Sequence, residues 1–227
     1  MATRARTDKR PFDIPRMLRR IEEAIRPYPP AAMFALADLG YRSLFEQLVG
    51  CVISVRTRDE VSLPTSIRLF EVARTPAAMM GLSVTRIDSL IRASTFHEAK
   101  ARDIHTLARR TMTELGGTLP CDGSVLTSFH GIGPKCANLA LGIACGHGRP
   151  AVDVHVHRIT NRWGIIHTRT PEETMEALEG VVERRDWVRI NRLLVPFGKH
   201  ICTARRPRCS SCVVNAYCRQ IGVVDYV

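Results

Sequence analysis

Four cysteines, Cys202, Cys209, Cys212 and Cys218, fall within seventeen residues at the spacing C-x6-C-x2-C-x5-C, with arginines rather than apolar residues filling the first gap. Four thiolates so close in sequence can converge on one centre with little loop-closure cost, and all-cysteine sets of four hold either tetrahedral zinc or an iron–sulfur cluster. Structural zinc usually takes two short C-x2-C knuckles. One such pair occurs here, and the wider flanking gaps favour a [4Fe-4S] cluster, with zinc the alternative. Two disulfides of a secreted chain are disfavoured, because no secretory signal is evident and four further cysteines are scattered through the sequence. Those four, Cys51, Cys121, Cys136 and Cys145, stand mostly among apolar neighbours and read as buried thiols.

The charge balance points to a polyanion. Lysine and arginine exceed aspartate and glutamate by 33 − 22 = 11, and the pI is near 9.8. Residues 1–26 hold Arg4, Arg6, Lys9, Arg10, Arg16, Arg19, Arg20 and Arg26 against four acids, an arm that could lie along phosphates or form a solvated tail. Asp8 and Asp13 argue against an organellar transit peptide. No apolar run approaches the roughly 18 residues of a membrane-spanning helix, so a soluble protein with no membrane partner is expected.

Hydrophobic periodicity predicts an all-α fold. Leu44, Phe45, Leu48, Val49, Val52 and Ile53 recur at three- and four-residue intervals. Ile104, Leu107, Ala108, Met112 and Leu115 form a second stripe, stopped by Gly116-Gly117 and Pro120. Pro171 followed by Glu172 and Glu173 reads as the first turn of another helix, where proline fits and acids meet the positive end of the dipole. Period-two alternation is not sustained anywhere.

Residues 126–145 read LTSFHGIGPKCANLALGIAC: a helix end, a glycine turn, then an apolar helix. Gly131 and Gly133 allow backbone N–H groups at a helix start to approach a phosphate without reading sequence. Such a turn more often simply joins packed helices. Lys135 raises the odds of function, because a lysine set against the positive helix end is biased toward its neutral, nucleophilic amine. Farther on, Asp153 is placed to cap a helix that Gly164 ends. His155, Arg158 and Arg162 share one face of it and could meet phosphates, while Val156, Ile159 and Trp163 pack on another. Asp153 could also assist the Lys135 amine or stabilise positive charge developing on a sugar.

HGIGPKCANLAL, AVDVHVHRITNR and CTARRPRCSSCVVNAYC together resemble endonuclease III, the helix-hairpin-helix DNA glycosylases that carry a [4Fe-4S] cluster and excise oxidised pyrimidines. The resemblance runs from about residue 15 to the end. It implies two helical lobes with an active cleft between them: a six-helix barrel with the hairpin at 37–147, and a cluster domain formed by 1–36 and 148–227. It also implies a Schiff-base role for Lys135, a catalytic role for Asp153, and cluster ligation by Cys202, Cys209, Cys212 and Cys218. The implied partner is damaged double-stranded DNA, whose target nucleotide is flipped out and whose strand is nicked by β-elimination. Arg205 and Arg206 in the cysteine loop, with Arg208, are expected to meet phosphates. A monomer in the cytoplasm, associated with the nucleoid, is the corresponding expectation.

The departures from the family pattern cluster where the damaged base would be read. Arg56 stands at the family's hole-filling glutamine, in Ser54-Val55-Arg56-Thr57-Arg58-Asp59. Phe96 and His97 replace a leucine and tyrosine in the other wedge segment, and Phe129-His130 replaces Leu-Pro ahead of the hairpin. An altered lesion spectrum with an intact lyase is the expectation. Two alternatives stand beside it. A monofunctional mismatch adenine glycosylase is disfavoured, because that type lacks the lysine and carries a further C-terminal domain, whereas this chain ends nine residues after Cys218. A catalytically weak DNA-damage binder is disfavoured because binding alone requires neither Lys135 nor Asp153.

Overall fold

The computed structural model describes residues 9–227, so Arg4 and Arg6 of the basic arm lie outside the described residues. The regular structure of the described residues is all-helical, and they form two compact units, 31–148 and residues up to 30 together with 149–227. It opens with α1 (Ile14–Ile25) of the second unit. The first unit follows, with α2 (Ala32–Asp38), α3 (Leu44–Ser54), α4 (Asp59–Val72), α5 (Pro76–Met80), α6 (Val84–Ile91), α7 (His97–Glu114), α8 (Gly123–Thr127) and α9 (Pro134–Cys145). The chain then returns to the second unit through α10 (Val154–Trp163), α11 (Pro171–Val181), a 3₁₀ turn (Arg184–Asp186) and α12 (Trp187–His200).

Helix α3 is the axis of the 31–148 unit. Ser43 and Glu46 close a capping box at its start: the Glu46 N–H donates to Ser43 Oγ at 3.2 Å, and the Ser43 N–H donates to Glu46 Oε2 at 2.8 Å. Its whole predicted stripe is buried, and Leu48, Val49 and Ile53 are fully so, each worth about 1.5–3 kcal/mol in burial. Around it pack α2, α4, α7 and α9. Helix α2 packs on α3 and α4 and therefore belongs with them, although residue 37 marked the expected start of this lobe. In α7 the predicted Ile104, Leu107 and Ala108 are buried, while Met112 and Leu115 are only half-buried. The helix stops where Gly116 and Gly117 take positive φ.

The other unit packs α1 and α10 on α12. Met17, Leu18 and Ile21 of α1, Val156, Ile159 and Trp163 of α10, and Ile190, Leu193, Leu194 and Phe197 of α12 share one core with Val214 and Tyr217. Helix α11 starts at Pro171, as the sequence predicts, with Thr170 as its cap and Glu172 and Glu173 in its first turn. Among the described residues no helix is long and apolar enough to cross a membrane.

The basic segment before α1 is bound from Lys9 onward. Lys9 Nζ donates to the Asn215 carbonyl at 2.9 Å and Arg20 to the Val213 carbonyl at 3.1 Å. The guanidinium carbons of Arg10, Arg16 and Arg20 lie about 6 Å from the Tyr217 ring centroid. These cations brace the segment around the C-terminal cysteines.

Candidate nucleic-acid interface and iron–sulfur site

Helices α8 and α9 flank the glycine turn at 128–133. Phe129 and Ile132 are buried beneath it, and the Arg110 guanidinium lies 4.5 Å from the Phe129 ring centroid. His130 is exposed and pairs with Asp103. Gly131 has φ +79, and a Cβ there would meet Asp103 Oδ2 at 3.0 Å, so the position is closed to larger residues by both strain and contact. Gly133 caps α9, Pro134 occupies its first turn, and Lys135 follows as an exposed side chain. An exposed amine beside the backbone N–H groups of a helix start can meet a phosphodiester and attack an electrophilic carbon next to it.

Two disulfides hold the helix that carries Lys135. Cys136 is bonded to Cys51 of α3, with Cα atoms 5.9 Å apart, and Cys145 to Cys121 ahead of α8, with Cα atoms 6.2 Å apart. This corrects the reading of these four as buried thiols. The first pair is indeed buried, but α3 and α9 pack closely enough to join it; Cys121 is exposed.

Arg56 and Phe96 are displayed side by side. Both are exposed non-glycine residues with left-handed backbone, φ +53 and +57, and the Arg56 guanidinium carbon lies 5.8 Å from the Phe96 ring centroid. Such conformations cost about 1–3 kcal/mol each and persist only where the surroundings fix them. Here they do. Thr95 Oγ1 donates to the Arg56 carbonyl at 2.9 Å, and the Thr95 N–H donates to Thr57 Oγ1 at 3.1 Å. Beneath the two turns, the buried Lys100 Nζ donates to the carbonyls of Ile53 (2.8 Å) and Val55 (2.7 Å) and to Thr57 Oγ1 (3.1 Å). Burial pushes its amine down to about 8. His97, by contrast, turns to Asp88 on α6. Sequence reasoning missed Lys100, although a lysine one turn ahead of Ile104 on an apolar stripe was the available signal.

In the other unit Asp153 caps α10, accepting from the His155 and Val156 N–H groups at 2.9 Å each. Both bonds use Oδ1. His155 is half-buried, and burial lowers its pKa, opposed by Asp153 and reinforced by Arg158 and Lys199. The expected phosphate-facing row does not extend along α10. Arg162 is buried, donating to the carbonyls of Thr203 and Ala204 at 2.7 Å each and to Cys202 Sγ at 3.4 Å. Arg158 Nη2 donates to the carbonyls of Gly198 and Cys202, each at 2.9 Å. Carbonyls of the cysteine loop turn inward toward α10, so these guanidiniums brace that loop from within. Arg205, Arg206 and Arg208 are exposed on it, with Arg206 paired to Asp225 at 2.9 Å.

Cys202, Cys209, Cys212 and Cys218 lie outside any disulfide and line one pocket with Arg162, Phe197, Ile201, Pro207 and Val214. Burial raises the Cys212 thiol to about 11 and Cys218 to about 12, against the backbone N–H groups that favour their thiolates. Four sulfurs facing one apolar pocket, with N–H donors from Arg162 to Cys202 and from the Gln220 backbone to Cys218, suit an anionic thiolate cluster.

Residues 49–184 match the family described as HhH-GPD superfamily base excision DNA repair protein, and residues 202–218 match the iron–sulfur binding domain of endonuclease III. Endonuclease III of Thermotoga maritima is 38% identical over 174 residues, covering 77% of this chain and 82% of its own length. That of Escherichia coli is 32% identical over 188 residues, covering 83% and 89%. The solved structure of a trapped endonuclease III–DNA covalent intermediate aligns with a TM-score of 0.78 at 27% identity, covering 91% of this chain and 94% of that one.

Proposed function

The chain belongs to the endonuclease III family of HhH-GPD base-excision-repair DNA glycosylases and carries that family's [4Fe-4S] cluster, and on that premise we propose that it is bifunctional, excising oxidised pyrimidines from duplex DNA and then nicking the abasic strand. The observation that supports this reading best is Lys135, exposed as the second residue of α9 directly behind the glycine turn. The hairpin N–H groups hold the backbone phosphates, and Arg56 and Phe96 occupy the space vacated by the flipped nucleotide. Lys135 Nζ attacks the sugar C1′. The C1′–N bond breaks, and the base departs with its electron pair and takes a proton. The Lys135 nitrogen lone pair then opens the sugar ring: the C1′–O4′ bond breaks, O4′ takes a proton, and an imine forms. The imine acidifies C2′; loss of that proton breaks the C3′–O bond, releases the phosphate on the 3′ side with its strand and leaves an unsaturated sugar on the enzyme. Water then frees Lys135.

Asp153 assists by accepting the amine proton and by stabilising positive charge on the sugar; Oδ1 is fixed by the cap, which orients the carboxylate. Cys202, Cys209, Cys212 and Cys218 hold the cluster, which orders the loop bearing Arg205 and Arg206.

Borohydride trapping on a duplex with one abasic site tests the reading. A covalent protein–DNA band is expected in the wild type, lost in Lys135→Ala and strongly reduced in Asp153→Asn. Binding of that duplex with no covalent band would leave a damage binder instead.

A further inference from the structure

Cys121, Cys145 and His147 bring their ligand atoms, two sulfurs and an imidazole nitrogen, within 4.8 Å of one another. The cluster shares no residue with the iron–sulfur pocket and does not include Lys135. Cys121 lies two residues before α8, Cys145 ends α9, and His147 follows between Gly146 and Gly148, which take φ +70 and +153. The three therefore join the outer ends of the α8–turn–α9 motif. Cys121 and His147 are exposed and Cys145 is half-buried, so reductants and ions reach them from solvent.

The Cys121–Cys145 disulfide is one way to close this site, but an exposed disulfide in a DNA-repair enzyme faces the thiol pools that keep cytosolic and nuclear proteins reduced. Reduction leaves two thiols beside the imidazole, and the sulfurs, no longer bonded, part by rotation of their side chains. Zinc takes sulfur at about 2.3 Å and nitrogen at about 2.0–2.1 Å, so its ligand atoms stand roughly 3.5–3.8 Å apart, a spacing the sulfurs reach once the disulfide is opened, with the imidazole nitrogen within 4.8 Å of both. Mixed thiolate and imidazole donors suit zinc better than magnesium or calcium, which prefer oxygen.

We propose that, in its reduced form, the protein binds one zinc ion through Cys121, Cys145 and His147, with water in the fourth position. A dithiol reductant delivers two electrons: one thiolate attacks the disulfide, the second closes the reductant's own disulfide, and Cys121 and Cys145 are released as thiols. Zinc then displaces their two protons to solvent. The base of the hairpin motif is thus closed by a disulfide under oxidising conditions and by a metal under reducing ones.

The test is elemental analysis of the cluster-loaded protein, reduced with dithiothreitol, equilibrated with zinc and passed through a desalting column. One zinc per chain with iron content unchanged is expected, against none in the oxidised protein or in Cys121→Ser/Cys145→Ser. His147→Ala, an exposed change that leaves both sulfurs in place, should weaken zinc binding at least tenfold. No zinc in the reduced wild type, equal zinc in the double variant, or zinc gained at the expense of iron would each overturn the proposal.

Discussion

Lys100 Nζ donates at 2.7 Å to the carbonyl of Val55, the residue that leads into Arg56. The same ammonium holds Ile53 and Thr57, and Thr57 in turn holds Thr95, next to Phe96. One buried cation thus fixes both left-handed residues of the proposed wedge. Lys100→Met removes the donors and leaves their carbonyls without them, at a cost of about 1–3 kcal/mol in stability. Excision from duplex DNA, which needs the wedge, should fall about tenfold in single-turnover assays, while trapping at a pre-formed abasic site persists. Equal loss of both would reduce Lys100 to a purely structural part.

The same lysine has a pH signature. Its amine is held at about 8 in the fold and returns to near 10.4 on unfolding, so between those values the unfolded chain binds more protons and stability rises with pH. The desolvation cost is present in full below about pH 8 and is relieved above it. Denaturant titrations from pH 7.5 to 10 should show this rise in the wild type and a flatter profile in Lys100→Met.

Much of this architecture is legible in the sequence because local rules agree with packing: the α3 stripe, the proline-led start of α11 and the glycine stop of α7 are satisfied within one or two turns of chain. Features that depend on distant partners are not. Cys51 and Cys136 are separated by 85 residues, and nothing local distinguishes a buried thiol from half of a bond. Spacing placed Arg158 and Arg162 on one face of α10 correctly but could not say that the cysteine loop covers it.

Gly198 should not tolerate a side chain. A Cβ there would approach His155 Nδ1 to 2.5 Å and its Cβ to 2.9 Å, with α12 and α10 packed against each other. Gly198→Ala should destabilise this unit by about 1–3 kcal/mol, read as a lower midpoint in chemical denaturation.

Arg162 ties α10 to the loop that begins at Cys202. Arg162→Ala leaves the Thr203 and Ala204 carbonyls without their buried donor and removes the N–H facing Cys202 Sγ. Iron should leave the variant several-fold faster under a chelator, followed by loss of the visible absorbance of the cluster. Unchanged release would mean that the loop is held by the cysteines alone.

Arg56 offers a charged fork where the family's pattern has glutamine. Entering the base stack desolvates a full cation, which costs more than a neutral amide, unless the orphaned base returns hydrogen bonds. Guanine does so best where Arg56 reaches its major-groove edge, because O6 and N7 there accept both arms of a guanidinium, whereas adenine offers one acceptor beside a donor. Oxidised pyrimidines opposite guanine should therefore be excised about tenfold faster than the same lesions opposite adenine. Arg56→Gln should narrow that ratio toward one without changing trapping at abasic sites, since Lys135 is untouched. Equal rates opposite both purines in the wild type would remove Arg56 from the reading of the opposite base and leave Phe96 as the wedge.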